Sequence, residues 1–454
     1  MSAKLFFEKS VSVLKKALES YYPVPVLFLF AFICWFFKWT LLVVYVFLAV
    51  FVLILLICKD VKNIFALVLY ISFFITDIGA EPHWAGYFVA IFCAVAAMIY
   101  FAVRNFLADR KTLKKGKMFY PLVVASVAFL LGGVGRFDAL SFFITLGFCI
   151  VNYYLYFLAV NYTVDLNRYL AYLFIIGAAV LSVQIMFVNT FIKDIRPFET
   201  PVFFSAQTVN TAAVFIFLGS AGCFGIGHRT KADALYMLLS VFFTFAIFIT
   251  CCRTMILIAV AAEVALYVMF IGYSKNPYRF VWANLALCVA IILLGEFYDV
   301  LLKPIVAQIM SKDLLNLNGR NAIWNFCMEK LREYPLFGYG WLVDGDYSFL
   351  REGYPVLLAH NTLLQWVASL GIVGAALISY FYIVKYKIVF SEMSHNKIFT
   401  LFAVLGIALS GMMDQAASMD FFVFLTPLIL LADAEKELRG RRRINKFRFL
   451  KGSE

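Results

Sequence analysis

The chain has 454 residues, of which 64% are hydrophobic and only 15% charged. A water-soluble protein of this length has no interior large enough to hide so much apolar surface, so the composition excludes a soluble globular class and puts most of the chain in lipid. The net charge of +12 would point to nucleic acid in a soluble protein. Here the basic residues are sorted along the chain in a way that membrane topology explains, and no nucleic-acid partner is expected.

The first twenty residues, with Lys4, Lys9, Lys15 and Lys16, read as a short amphipathic basic helix lying on the headgroups ahead of the first span, and not as a cleavable signal peptide. A membrane span needs about 20 apolar residues. Apolar runs recur near 21–37, 40–58, 62–77, 84–103, 118–134, 138–162, 167–190, 206–227, 233–251, 254–272, 281–298, 359–384, 398–413 and 419–433. These predict an all-α polytopic membrane protein with about 12–14 transmembrane helices and no soluble partner domain. The expected organisation is a basic segment 1–20, transmembrane helices over 21–298, one large external loop 299–358, three last helices over 359–433 and a basic tail 434–454.

With the N-terminus in the cytoplasm, alternation of sides puts most of the 39 Lys and Arg in cytoplasmic segments, including the tail from Lys436 to Lys451. Both termini are then cytoplasmic, and the tail reads as a topology anchor. Arg136, Arg196, Arg253, Arg320 and His360 all fall on the opposite, external side. Of the nine Cys, most sit inside apolar runs and behave as small hydrophobes. No CxxC pair or His/Cys cluster is present, so neither a structural disulfide nor a thiolate metal site is expected.

The loop 299–358 has internal structure of its own. Asn316 or Asn318 can cap a helix from Arg320 to about Glu333, which Pro335 would end. Ile323, Trp324, Phe326, Cys327 and Leu331 give this helix an apolar face, expected to lie on the outer headgroups. Gly338-Tyr339-Gly340 then predicts a turn that brings backbone N–H groups close to a neighbouring group.

Each charged candidate has a bland reading beside the chemical one. Arg253, in Cys251-Cys252-Arg253-Thr254, either binds an anion or snorkels to the headgroups at a tight turn. Arg320 opposes the macrodipole at a helix start unless an anion joins it, or is a solvated loop residue. His360 has an ordinary pKa near 6.5, suited to proton transfer, but a His at a helix start is also a common cap. Arg136 has Asp138 as a nearby partner, and Arg196 has Asp194 or Glu199. Glu263 is a mid-span acid that needs a partner the sequence does not reveal. Taken together, several Arg and one His at the outer lipid boundary suit a reaction that loses a lipid-linked diphosphate. The guanidiniums would neutralise the departing charge and the His would take a proton from an acceptor hydroxyl, without a metal.

Gly319-Arg320 with Trp324, then Pro335-Leu336-Phe337-Gly338-Tyr339-Gly340, then His360-Asn361 with Leu364-Gln365 and Gly371-Ile372-Val373-Gly374 resemble the bacterial O-antigen ligase and polymerase family. Arg253-Thr254 resembles that family's arginine turn, and the likeness runs from roughly 195 to 385. The resemblance implies a GT-C-like, all-helical membrane glycosyltransferase fold. It implies an undecaprenyl-diphosphate-linked glycan as donor, a glycan, lipid or protein acceptor, inverting attack and no cofactor. It also implies His360 as base, Arg253 and Arg320 as diphosphate ligands, and substrate contacts from Arg136, Arg196, Asn361, Trp324, Gly338, Tyr339 and Gly340. The paired Arg-plus-distant-Gly loop motifs described for some polymerases are absent after Arg196 and Arg320. Polymerase is favoured slightly over ligase because many surface-polysaccharide systems need one. A lipid-linked oligosaccharide flippase, the competing class, would show two similar halves, and none are seen.

Overall fold

The computed structural model describes residues 3–37, 39–74, 84–107, 113–132, 134, 139–187, 209–228, 230–296, 298–311, 320–340, 359, 361–391, 395–412, 425–432 and 434. All regular structure among them is helical, with no strand. In chain order the helices are α1 (Ala3–Leu18), α2 (Pro23–Phe36), α3 (Thr40–Ile57), α4 (Asn63–Phe74), α5 (Trp84–Phe101), α6 (Phe119–Leu131), α7 (Ala139–Asn161) and α8 (Leu166–Val183). They continue with α9 (Val209–Gly227), α10 (Asp233–Ile249), α11 (Arg253–Tyr273), α12 (Tyr278–Glu296), α13 (Lys303–Ser311), α14 (Arg320–Glu333), α15 (Thr362–Phe390) and α16 (His395–Gly411).

Each apolar run of the sequence contains a helix, and residues 425–432 are helical in the last one. By length and composition, five helices are able to cross a membrane: 166–187, 210–227, 253–273, 278–296 and 362–390. A sixth is added if Glu8–Leu18 and Pro23–Phe36, bent by 79° at their junction, count as one span. Further apolar helices, among them Phe119–Leu131 and Asp233–Ile249, are shorter than 18 residues. The chain is therefore a polytopic all-α membrane protein with about five or six such spans among the described residues.

The centre of the bundle is the pair α8 and α9, which pack along their length, with α10 and α16 against α9. Small residues allow this approach, as is usual between membrane helices. A Cβ on Gly222 would lie 2.8 Å from the Ala171 carbonyl oxygen. Lipid tails are as apolar as the helix surfaces, so polar side chains help to fix the neighbours. Asn63 of α4 donates to the carbonyls of Leu18 (2.6 Å) and Ser20 (2.9 Å) and accepts from the Tyr169 hydroxyl of α8 (2.7 Å). It thereby ties the bend between α1 and α2 to the central pair. Asn167 of α8 donates to Thr400 Oγ1 of α16 at 3.2 Å.

One expectation is corrected. The run 359–384 does not form one continuous helix: α15 is interrupted at Gly371 (φ 66°, ψ −172°). Trp366 Nε1 donates to the Tyr382 hydroxyl at 3.3 Å across 16 residues, which an unbroken helix would hold about 24 Å apart along its axis. The first arm, 362–370, is therefore bent back toward the second, 372–390. The long segment before it also carries α13, a helix that its polarity does not advertise, with Ile305 buried.

Replacing Asn63 by Ala should lower stability by about 1–3 kcal/mol, because Tyr169 and two carbonyls lose their partner in a buried setting. Thermal unfolding of the detergent-solubilised protein would check it, and an unchanged midpoint would mean these bonds are not limiting.

Candidate functional site

Helix α14 begins at Arg320 and ends at Glu333, one residue before Tyr334-Pro335. Pro335 stops it because it has no N–H to donate and disfavours helical backbone in the residue before it. Its apolar side does not lie free on headgroups as the sequence suggested. Ile323, Phe326 and Cys327 are buried in a small cluster with Ala359 and Ala368, with Leu364 packed against it. The first arm of α15 is a covalently attached apolar surface and takes the place of lipid.

The chain then forms a strap, residues 335–340, laid across the break in α15. Tyr339 N–H donates to Ala368 O (2.8 Å) and Gly340 N–H to Ser369 O (3.3 Å). In return Ile372 N–H donates to Pro335 O (2.9 Å) and Val373 N–H to Leu336 O (3.1 Å). The break leaves donors and acceptors of the helical ladder without their usual partners, and the strap pairs two of each. Gly338 (φ 77°) and Gly371 (φ 66°) sit where the two backbones touch. A Cβ on Gly371 would collide with the Leu336 carbonyl, and one on Gly338 with the Ser369 carbonyl. Helix α6 closes the other side of the arm, with Phe129 against Trp366 at 5.1 Å between ring centroids.

Side chains complete the assembly. Trp324 Nε1 donates to Ala359 O (2.8 Å), and Ala359 N–H donates to Gln365 Oε1 (2.7 Å). Gln365 Nε2 continues to Ser369 Oγ at 2.9 Å. Asn361 caps the first arm by accepting from Leu364 N–H (3.0 Å) and donates to Met412 O (3.0 Å). The Tyr339 ring packs against Phe326 and Tyr334, with the Lys330 ammonium 5.2 Å from its centroid. Lys330 also pairs with Glu333 at 2.7 Å, and that hydrogen bond raises its pKa.

Of the sequence candidates, the structure gathers Trp324, Gly338, Tyr339, Gly340 and Asn361 around the first arm of α15. The N–H groups of Gly338, Tyr339 and Gly340 are all taken by carbonyls of the chain, as are the Trp324 indole and the Asn361 amide. These residues position the site through bonds of their own. Arg320 is the first residue of α14, one turn before Trp324 and on the same face. Arg253 is the first residue of α11, after a turn in which Cys251 takes φ 54°. Helix α13 reaches that turn, the Ile305 carbonyl oxygen lying 4.0 Å from Cys251 Sγ. Both arginines therefore stand at helix N-termini, where N–H groups and dipole add to their charge. Arg136, Arg196 and His360 lie outside the described residues.

Sequence reasoning missed two links. Gln365 bridges Ala359 to the arm, and only its spacing of four from Ser369 hints at it. Glu263 does have partners: Ser240 Oγ donates to it at 2.6 Å and Thr244 Oγ1 at 3.1 Å, both from α10. The signal was a polar pair one helical turn apart on the preceding span.

Gly371→Ala should destabilise the strap by about 1–3 kcal/mol through backbone strain. Hydrogen exchange should then accelerate at the amides of Tyr339, Gly340, Ile372 and Val373. Gly147→Ala, at a site with nothing within 4 Å of the new Cβ, should leave those amides protected.

No curated protein matches the chain. Residues 238–379, from α10 to the second arm of α15, match the family described as O-antigen ligase. The matched segment holds Arg253, Arg320, the strap, position 360 and the break at Gly371, and leaves Arg136 and Arg196 outside. The protein is thus a multi-pass membrane protein of which residues 238–379, under half of the chain, match the O-antigen ligase family.

Proposed function

We propose that the protein is a membrane glycosyltransferase. It moves a glycan from undecaprenyl diphosphate to an acceptor hydroxyl at the external face of a bacterial plasma membrane, in surface-polysaccharide assembly. The observation that carries this reading is the family match over residues 238–379, in which both described neighbours of His360 in the chain are held by hydrogen bonds. Ala359 on one side is held by Trp324 and Gln365, and Asn361 on the other by its cap and Met412. Arg320 lies one turn from Trp324 on the same face of α14. A general base needs such support, since catalysis is sensitive to misplacement of about 1 Å.

In this reading His360 takes the proton of the acceptor hydroxyl as its oxygen attacks the anomeric carbon. The bond to the diphosphate breaks on the opposite side of the sugar, which gives inversion without a covalent intermediate. Arg253 and Arg320, each at a helix start, receive the departing diphosphate. In a low-dielectric boundary their charge counts for more than in water. Arginine supplies the neutralising charge, so the proposal requires no metal. Trp324, Gly338, Tyr339, Gly340 and Asn361 act by positioning, and Arg136 and Arg196 are more distant substrate contacts. The shorter apolar helices also enter the membrane, giving about 12–14 crossings with both termini cytoplasmic. Extension of one lipid-linked chain by another is favoured slightly over transfer to lipid A core or protein.

The test is made in proteoliposomes given one undecaprenyl-diphosphate-linked repeat unit. A ladder of longer lipid-linked products is the expected result. Products appearing only after lipid A core or a protein is added would identify a ligase. His360→Ala should lower the rate by about 10²–10⁴-fold, and Arg320→Lys by about 10–100-fold through loss of the bidentate fork. A flippase would tolerate both substitutions, and transfer that survives His360→Ala would remove it as the base. EDTA should leave the rate unchanged; loss with rescue by Mg²⁺ would overturn the metal-free mechanism.

A further inference from the structure

A cavity of about 630 Å³ lies between the two arms of α15, the end of α16 and the helical segment 425–432. Its walls are mostly apolar, with Leu363, Phe381, Ile383, Ile407 and Met412 among them. Leu363 and Ile383 are also exposed on the outside of the bundle, at 55% and 65%, so the cavity meets a surface that faces lipid. A volume of this size is within the usual range for a small-molecule site, about 300–1,000 Å³.

Among the described residues one charged side chain lines it. Lys385, on the second arm of α15, is only 5% exposed. Its ammonium lies over the rings of Tyr382 (4.9 Å to the centroid) and Tyr386 (5.3 Å), which also line the cavity. Among the described residues no carboxylate or carbonyl pairs with it. Lys397 nearby shows the contrast. It is equally buried, but its ammonium donates to the Ile388 carbonyl at 3.1 Å and to Ser391. Thr362, from the first arm, also lines the cavity, and its buried hydroxyl oxygen has no hydrogen-bond partner among the described residues.

We propose that this cavity binds an anionic phospholipid, with the lipid phosphate against Lys385 and part of an acyl chain along the apolar walls. A cation inside a membrane protein needs a counter-charge or water. Here the space beside it is apolar and open to lipid, which fits a molecule carrying both a phosphate and a hydrocarbon chain. A free inorganic anion would satisfy the lysine but leave the apolar walls unfilled. The bound lipid would bridge the two arms of α15. The inference stands independently of the glycosyl-transfer reading.

The test is native mass spectrometry of the purified full-length protein titrated with dioleoylphosphatidylglycerol or dioleoylphosphatidylcholine. The wild type should hold the anionic lipid about tenfold more tightly, the effect of one charge-assisted contact. Lys385→Met should erase that preference, whereas Lys387→Met, an exposed neighbour, should preserve it. Ile407→Trp, which fills the cavity and retains Lys385, should weaken binding of the anionic lipid and decides the matter if the Lys385 variant fails to assemble. Inorganic phosphate should not compete. A preference in Lys385→Met as large as the wild type's, unchanged binding in Ile407→Trp, or full displacement by phosphate would each overturn the assignment.

Discussion

A backbone amide or carbonyl away from water must find a partner in the chain, and the break at Gly371 makes that requirement local and severe. The strap 335–340 meets it by trading two donors for two acceptors with residues 368–373. The exchange requires the two backbones to touch, and Gly338 and Gly371 are where side chains are forbidden. The rest of the site follows from this contact. The strap fixes the end of α14, α14 brings Trp324 to Ala359, and the bent arm presents Asn361 to Met412. Loss of either glycine would loosen every one of these links at once.

Much of this was readable from local rules. Helix α14 ends where Pro335 predicts, because proline acts within a turn, while the expected caps Asn316 and Asn318 lie outside the described residues. Every apolar run became a helix because composition alone dictates it. The break in α15 was not readable: Leu370-Gly371-Ile372 sits in an unbroken apolar run, where a glycine is ordinarily tolerated. The cover over Ile323, Phe326 and Cys327 was hidden because an apolar face specifies burial without naming what buries it. Glu263 found its partners on another helix, a non-local fact that spacing within its own span does not contain. For Arg253 and Arg320 the sequence supplied their placement at helix starts, and the structure adds the elements around them.

The matched segment is not self-contained. Its first α15 arm packs on α6 through Phe129 and Trp366, and a Cβ on Gly132, just past the end of α6, would lie 2.6 Å from Leu370. Helix α6 precedes the segment by about a hundred residues. Asn361 likewise leans on Met412, beyond its C-terminal end. The parts of the chain that carry no family likeness therefore buttress the part that does. Their side chains at these contacts are constrained in size even where their sequence is otherwise free.

The two ends of segment 341–358 are anchored side by side. Gly340 hangs from Ser369, and Ala359 from Gln365, one turn apart on the same arm. The links among α14, the strap and the first arm of α15 therefore do not depend on how many residues separate Gly340 from Ala359.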